Sequence, residues 1–253
     1  MEHPRRDPDI ARAARLIASA SRAHMLKALS GGRPLAASVL AEEAGVTPAT
    51  ASVHLRRLTE AGLVVGEQRG RHHYYRLASA EVSTALEALA VIAPAAPAPV
   101  ASLRVSSREN ALRRSRTCYD HLAGSLGVGL METFVSQGLL TGTPKAEEDG
   151  RGPDLPAAYG RALEYHLTGK GGEVFGRFGV DVARLSTRRR PVVRYCVDWS
   201  ERRHHLAGGL GAALTGRFFT LDWLRYGVSP RVVHLTETGR RGLADTFSFE
   251  APA

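Results

Sequence analysis

The sequence predicts a mainly α protein with small β content, in two parts. The front is a helix-turn-helix with a β-ribbon wing; the back is an α+β region of two pseudo-repeated lobes. Three observations predict this. Residues Val39 to Leu77 read VLAEEAGVTPATASVHLRRLTEAGLVVGEQRGRHHYYRL, where helix, turn, helix and ribbon follow in order. The run Pro94-Ala-Ala-Pro97-Ala-Pro99 cannot continue a helix and marks a stiff linker. Behind it, His-Leu-Ala-Gly-x-Leu-Gly occurs twice, from His121 and from His205, each time with Cys-x-Asp upstream. The expected organisation is a flexible start at 1–9, a front domain at 10–92, a linker at 93–101 and a back region at 102–253. Its lobes fall at about 108–183 and 190–250.

In the front domain, Ala41 to Gly45 ends one helix at a glycine, where a left-handed residue is cheap. Thr47 caps the next helix and Pro48 takes its first turn. Ala51, Leu55 and Leu58 recur at helical spacing and face inward, leaving Thr50, Ser52, Val53, Arg56 and Arg57 outward. Gly62 stops the helix. Leu63 to Val65 and His73 to Leu77 read as strands around the basic tip Gln68-Arg69-Gly70-Arg71. A short polar helix beside a basic hairpin suits the major groove of duplex DNA, with a wing alongside. Packing against Tyr74 or Tyr75 accounts for His54 as well as DNA contact does.

Residues 10–92 resemble the arsenic-repressor-type (ArsR/SmtB) transcriptional regulators. Ser19 to Leu29 (SASRAHMLKAL) is similar to the start of their winged-helix domain, and GVTPATASVHLRRLTEAGLV to their recognition helix and its exit. The resemblance implies a dimeric, cytoplasmic bacterial repressor that leaves double-stranded operator DNA when an effector binds. By position it places Thr47, Pro48, Ala49, Ser52, Val53 and His54 toward base edges. Arg69 and Arg71 fall where the wing meets the backbone or minor groove. Val53 stands where the family usually has arginine, so base readout there should differ. The metal ligands familiar in the family are absent: Ala36, Ala37 and Ser38 replace the thiolate pair, and Glu81 to Ile92 holds no histidine. Any inducer site is therefore expected in the extension.

Charge adds little. The chain carries 34 basic and 25 acidic residues, and residues 1–92 hold 12 and 9 of them, so the excess is spread along its length. No apolar run approaches the roughly 20 residues that span a bilayer, and the start lacks a secretory core, so a cytosolic protein with no membrane partner is expected. Two cysteines make no secreted disulfide framework, and their thiols should rest reduced.

Ala80 to Ile92 reads as a helix with Val82, Leu86, Leu89 and Ile92 on one stripe, suited to pairing with its twin across a dimer. Residues 142–156 form a second polar, flexible stretch. In the back region, Cys118 to Leu140 resembles Cys196 to Leu224, and each is followed by a β-like segment and a Leu-Thr start. Helix, strand and capped helix thus recur, with Thr168 and Thr236 as caps; degenerate winged helices are one form these lobes could take. Repeated glycines, Gly124 with Gly127 and Gly208 with Gly211, imply a packing or ligand reason.

Three effector chemistries stay open. Cys118 and His121, three apart on a helix, share a face; with Cys196 and His205 they could hold a divalent metal if the lobes meet. The same thiols could sense redox change. Alternatively Tyr195, Trp199 and Arg202, among the aromatics Tyr119, Phe134, Phe218, Phe219, Trp223 and Tyr226, could line a small-molecule pocket. Against a metal, cysteine is often a plain core residue, and Asp198 with Glu201 fits a capping box opening a helix from Trp199 to Leu214. On that helix, His204 and His205 would face different ways. Arg188 to Arg190 reads as a solvated loop. A regulator fused to a Cys/His enzyme, with Cys118 or Cys196 as nucleophile, is the less favoured alternative and has little support: the sequence has no phosphate loop, no His-Glu-x-x-His and no Gly-x-Ser-x-Gly elbow.

Overall fold

A computed structural model describes residues 7–94, 103–144 and 163–251. Residues 1–6 of the expected flexible start, most of the linker and most of the polar stretch at 142–156 lie outside the described residues. The chain folds as two compact units, Met1–Leu86 and Glu87–Ala253, and the division falls inside the helix Ala80–Ile92.

The first unit runs α1 (Ile10–Ile17), α2 (Ala20–Leu29), β1 (Leu35–Ala36), α3 (Ala37–Ala44), α4 (Pro48–Glu60), β2 (Val64–Arg69) and β3 (His72–Leu77), and α5 (Ala80–Ile92) leads out of it. Its core is Met25, Leu26, Leu29, Leu40, Leu55, Leu58, Val64 and Leu77, each buried. Burial of one such side chain stabilises by about 1.5–3 kcal/mol. Gly45 closes α3 with φ of 62°, as its position in the turn demands. Thr47 caps α4, accepting from the amide of Thr50, with Pro48 in the first turn. The sheet is antiparallel in the order β1-β3-β2. Its ribbon is longer than the sequence suggested: pairing continues to Arg69 opposite His72, because Gly70 (φ 59°) lets two residues reverse the chain.

The second unit begins with α6 (Leu103–Arg114). Then follow β4 (Arg116–Cys118), β5 (His121–Ala123), α7 (Gly124–Ser136), β6 (Leu140–Pro144), β7 (Leu163–Leu167) and α8 (Gly169–Arg177). After α9 (Val182–Ser186) come β8 (Arg194–Val197), β9 (His204–Ala207), α10 (Gly208–Thr220), β10 (Leu224–Tyr226), β11 (Val233–Leu235) and α11 (Glu237–Phe247). Each series runs from a two-stranded hairpin through a 13-residue helix and a second strand pair to a helix capped by threonine. Thr168 Oγ1 accepts from the amide of Gly171, and Thr236 Oγ1 from that of Gly239. One core serves both series: Leu126, Leu130, Phe134 and Phe175 from the first pack with Leu210, Leu214, Phe218 and Phe247 from the second. Phe134 lies 5.1 Å from Phe175 and 5.3 Å from Phe247, edge to face in both pairs.

Two local expectations are corrected. Cys118 and His121 do not share a helix; Tyr119, with φ of 58°, turns the chain so that they oppose one another across β4 and β5. The helix expected from Trp199 to Leu214 starts only at Gly208. The Asp198 amide donates to Arg203 and the Arg202 amide to Asp198, closing a hairpin instead. Among the described residues, no helix is long and apolar enough to cross a membrane.

Candidate functional site

On α4 the inner row, Ala51, Leu55 and Leu58, has no exposure, which fixes the rotation of the helix. Thr47, Pro48, Ala49, Thr50, Ser52, Val53, Arg56 and Arg57 are consequently exposed. The start of the helix is held rigidly. Thr47 Oγ1 lies 2.9 Å from Thr50 Oγ1, and the Ser52 hydroxyl donates to the Pro48 carbonyl at 2.9 Å. Arg56 pairs loosely with Glu60 at 3.9 Å, and a surface pair of this kind yields readily to a stronger anion. His54 differs from its neighbours. It is half-buried, its Nδ1 has no hydrogen-bond partner, and burial with the nearby Arg22 and Arg57 guanidinium groups lowers its pKa. On the ribbon, Arg69 donates to Glu67 at 3.0 and 3.1 Å and lies over the Tyr74 ring, while Arg71 is exposed at the tip. The hydrogen bond from Arg69 lowers the Glu67 pKa.

The second unit brings four chemically distinctive side chains together. The β4–β5 hairpin sets Cys118 directly opposite His121, and the β8–β9 hairpin sets Cys196 directly opposite His205. One donor atom from each of the four lies within 4.8 Å of all the others. Cys118, His121 and His205 are buried and Cys196 is half-buried. The two imidazoles stack with centroids 5.2 Å apart. Close approach depends on the repeated glycines. A methyl group on Gly127 would stand 2.5 Å from the Leu122 carbonyl oxygen and 3.8 Å from the His205 Cβ. On Gly211 it would stand 2.6 Å from the Leu206 carbonyl oxygen and 3.3 Å from the His121 Cβ. The limiting contacts are with the backbone of each glycine's own hairpin, and only at Gly211 would the methyl group also crowd the histidine of the other series.

Polar groups around the cluster are tightly held. Asp120 Oδ1 lies 3.3 Å from His121 Nδ1 and accepts from Arg190 at 2.9 Å. Asp198 Oδ2 accepts from Arg116 at 2.9 Å and from the Gly124 amide at 2.7 Å, and lies 3.8 Å from His205 Nδ1. Burial alone would raise both carboxyl pKa values, but Arg190 and Arg116 hold them well below the ordinary range. The Cys118 thiol is pushed up by its hydrogen bond with Cys196 and by burial, and His205 is pushed down by burial and by His121. The rings themselves are short of partners: among the described residues His121 Nε2, His205 Nδ1 and His205 Nε2 are buried without a formed hydrogen bond, though the Cys118 thiol lies close enough to interact with His121.

Other sequence candidates stay apart from these donors. Tyr195 packs on His204 at 4.2 Å and Tyr165 at 5.4 Å. Trp199 lies under the Arg116 guanidinium at 4.5 Å, and Arg202 donates to the Val91 carbonyl at 2.5 Å. Phe134, Phe218 and Trp223 belong to the shared core, so the proposed aromatic pocket does not form around them. An open cleft of about 400 Å³ lies elsewhere, lined by Val180, Arg184, Leu185, Arg188 and Ala213 among others. Arg188 and Arg189 are exposed, and Arg190, half-buried, is paired with Asp120. Arg116, Glu87 and Arg231 escaped sequence reasoning. Arg231 donates to the Thr117 carbonyl at 3.0 Å and to Glu87 at 2.5 Å, both ion partners being buried. Arg116 had a signal: the repeated motif extends to Arg-x-Cys-x-Asp, at Arg116 and again at Arg194.

The front third of the chain is similar to solved winged helices. The homodimeric winged helix-turn-helix DNA-binding domain of a possible ArsR-family transcriptional regulator from Mycobacterium bovis is 29% identical. That likeness covers 33% of this chain and 76% of that one, at a TM-score of 0.31. NolR from Sinorhizobium fredii is 27% identical over 38% of this chain and 98% of its own, at a TM-score of 0.32. Residues 17–67 match the family described as a helix-turn-helix domain, inside the segment that carries the arsenic-repressor resemblance. Over nearly its whole length, the chain is similar to the uncharacterized HTH-type transcriptional regulator YdfF of Bacillus subtilis. The two are 37% identical over 234 residues, 92% of this chain and 95% of that protein. With a helix-turn-helix in the first unit and a relative of this kind over nearly its whole length, the chain belongs to the family of helix-turn-helix transcriptional regulators.

Proposed function

We propose that the protein is a cytoplasmic, dimeric repressor that leaves double-stranded operator DNA when an effector binds its second unit. The observation that carries this reading is the exposed row from Thr47 to Arg57 on a helix whose apolar row is fully buried, beside an arginine-tipped ribbon. Such a helix fits the major groove, and the ribbon tip reaches the adjacent backbone. Arg56→Ala and Arg69→Ala should each weaken operator binding and flatten its salt dependence by about one unit of slope per lost phosphate contact. Fluorescence anisotropy across a salt series measures this, and an unchanged slope in both variants overturns the placement of helix and wing.

Dimerisation finds support in the end of α5, where Leu89 is 42% and Ile92 73% exposed. Leu89→Glu with Ile92→Glu should shift sedimentation toward the monomer, and a dimer unaffected by both charges would place the interface elsewhere. We read the second unit as a sensor rather than an enzyme. Three of the four side chains of its Cys–His cluster are buried and Cys196 is half-buried, a set of donors suited to holding an ion.

A further inference from the structure

We propose that Cys118, His121, Cys196 and His205 together bind one borderline-soft divalent metal ion, zinc by preference, as a four-coordinate thiolate–imidazole centre. The site stands on geometry; it rests on the proposed function only in making this ion the effector. Thiolate and imidazole are the donors that zinc selects, and four of them complete a tetrahedral shell. Bonds of about 2.3 Å to sulfur and 2.0–2.1 Å to nitrogen put tetrahedral donors roughly 3.3–3.8 Å apart. Here all four already lie within 4.8 Å of one another, so small side-chain rotations close the shell.

The rings are aimed for this. His121 turns Nδ1 to Asp120 and His205 turns Nδ1 toward Asp198, which leaves both Nε2 atoms buried and unpartnered. Behind His121, the Asp120 carboxylate is the outer arrangement that fixes the tautomer of a metal-bound histidine and raises its basicity, while Asp198 stands 3.8 Å from His205 Nδ1, beyond a hydrogen bond. Arg190 and Arg116 hold those carboxylates in place. A disulfide between Cys118 and Cys196 would use the sulfurs but leave both Nε2 atoms stranded, whereas a metal ion satisfies all four donors. Charge balances as well: on binding, the two thiol protons pass to solvent, and the two thiolate charges cancel those of the ion. With four ligands from the protein the centre is closed, which suits a switch or clamp rather than hydrolysis. Because Cys118 and His121 come from the first series and Cys196 and His205 from the second, the ion would lock the two together.

The test is a cobalt(II) titration of the full-length protein, purified under reducing conditions and stripped with a chelator. The expected result is a tetrahedral visible spectrum with a thiolate charge-transfer band, saturating at one ion per chain and bleached by zinc(II). Cys118→Ser and His205→Gln should lose it. Cys196→Ser, at a half-buried position, tests the same bond with less risk to folding, and circular dichroism of each variant checks the fold. No band in the folded protein overturns the site, as does a band that persists in the Cys118→Ser/Cys196→Ser double variant. Operator affinity is measured on the same samples. A loss of about tenfold or more on filling supports the ion as effector. A filled site with unchanged operator affinity overturns that assignment and keeps the metal centre. Failure of both apo and filled protein to bind any operator duplex overturns the repressor reading alone.

Discussion

Asp198→Ala is expected to destabilise the second unit by about 3–5 kcal/mol, the cost of stranding a buried charge. Asp198 and Arg116 have no exposed side-chain surface, and their ion pair spans 2.9 Å. Among the described residues, truncation leaves the Arg116 guanidinium hydrogen-bonded to the Leu112 carbonyl, at 3.0 Å, and the Ser200 hydroxyl, at 3.3 Å, above the Trp199 ring. It also strips an acceptor from the amides of Gly124, Ser200 and Glu201, which donate to this carboxylate at 2.7, 2.9 and 3.1 Å. Asp198→Asn keeps the shape and part of the hydrogen bonding, so it should cost less. Both tryptophans of the chain, Trp199 and Trp223, lie in the second unit, so urea unfolding followed by their fluorescence reports that unit alone. A change in unfolding free energy under about 1 kcal/mol would show that the pair is not the fastening we describe.

Gly208→Ala should be comparably damaging, for a different reason. Gly208 adopts φ of 81°, and an added methyl group would meet the Arg194 amide nitrogen at 2.8 Å, the Val192 carbonyl oxygen at 2.8 Å and the Pro191 carbonyl oxygen at 2.9 Å. These are backbone atoms that cannot swing aside. Left-handed backbone costs a side-chain-bearing residue about 1–2 kcal/mol, and overpacking typically adds about 1–3 kcal/mol. The segment that would be displaced also caps α10, since the amides of Gly209 and Leu210 donate to the carbonyls of Pro191 and Val192. Displacement would carry β8, and with it Cys196, away from the other donors. Calorimetry should show a melting temperature several degrees lower for the transition of the second unit. An unshifted transition would mean that the Pro191–Arg194 segment accommodates the methyl group freely.

The front unit was legible because its signals are local. Gly45, Thr47 and Pro48 lie within four residues of one another, and the Ala51, Leu55, Leu58 spacing decides which side chains face out. In the second unit, repetition picked out the four side chains that the two hairpins bring together, but it placed Cys118 with His121, and His205, on helices rather than strands. Strands of three residues, such as Arg116–Cys118 and His121–Ala123, are too short to show a period, and Tyr119 gives no outward sign of its positive φ. The Asp198 to Glu201 spacing does describe real hydrogen bonds, since the Glu201 amide donates to Asp198, yet no helix follows. What overrides the local pattern is Arg116, 82 residues earlier. The Glu87–Arg231 pair bridges 144 residues, and no local reading reaches that far.

The pairing of one Cys–His hairpin from each series bears on how the protein is made. A nascent polypeptide that has cleared the ribosome only as far as β5 owns half of a chelate and has nothing to close it with. At the proposed metal centre the second pair of ligands arrives only with β9, so a full donor set requires both hairpins. Cleavage between the hairpins would then divide the four proposed ligands, two to each fragment.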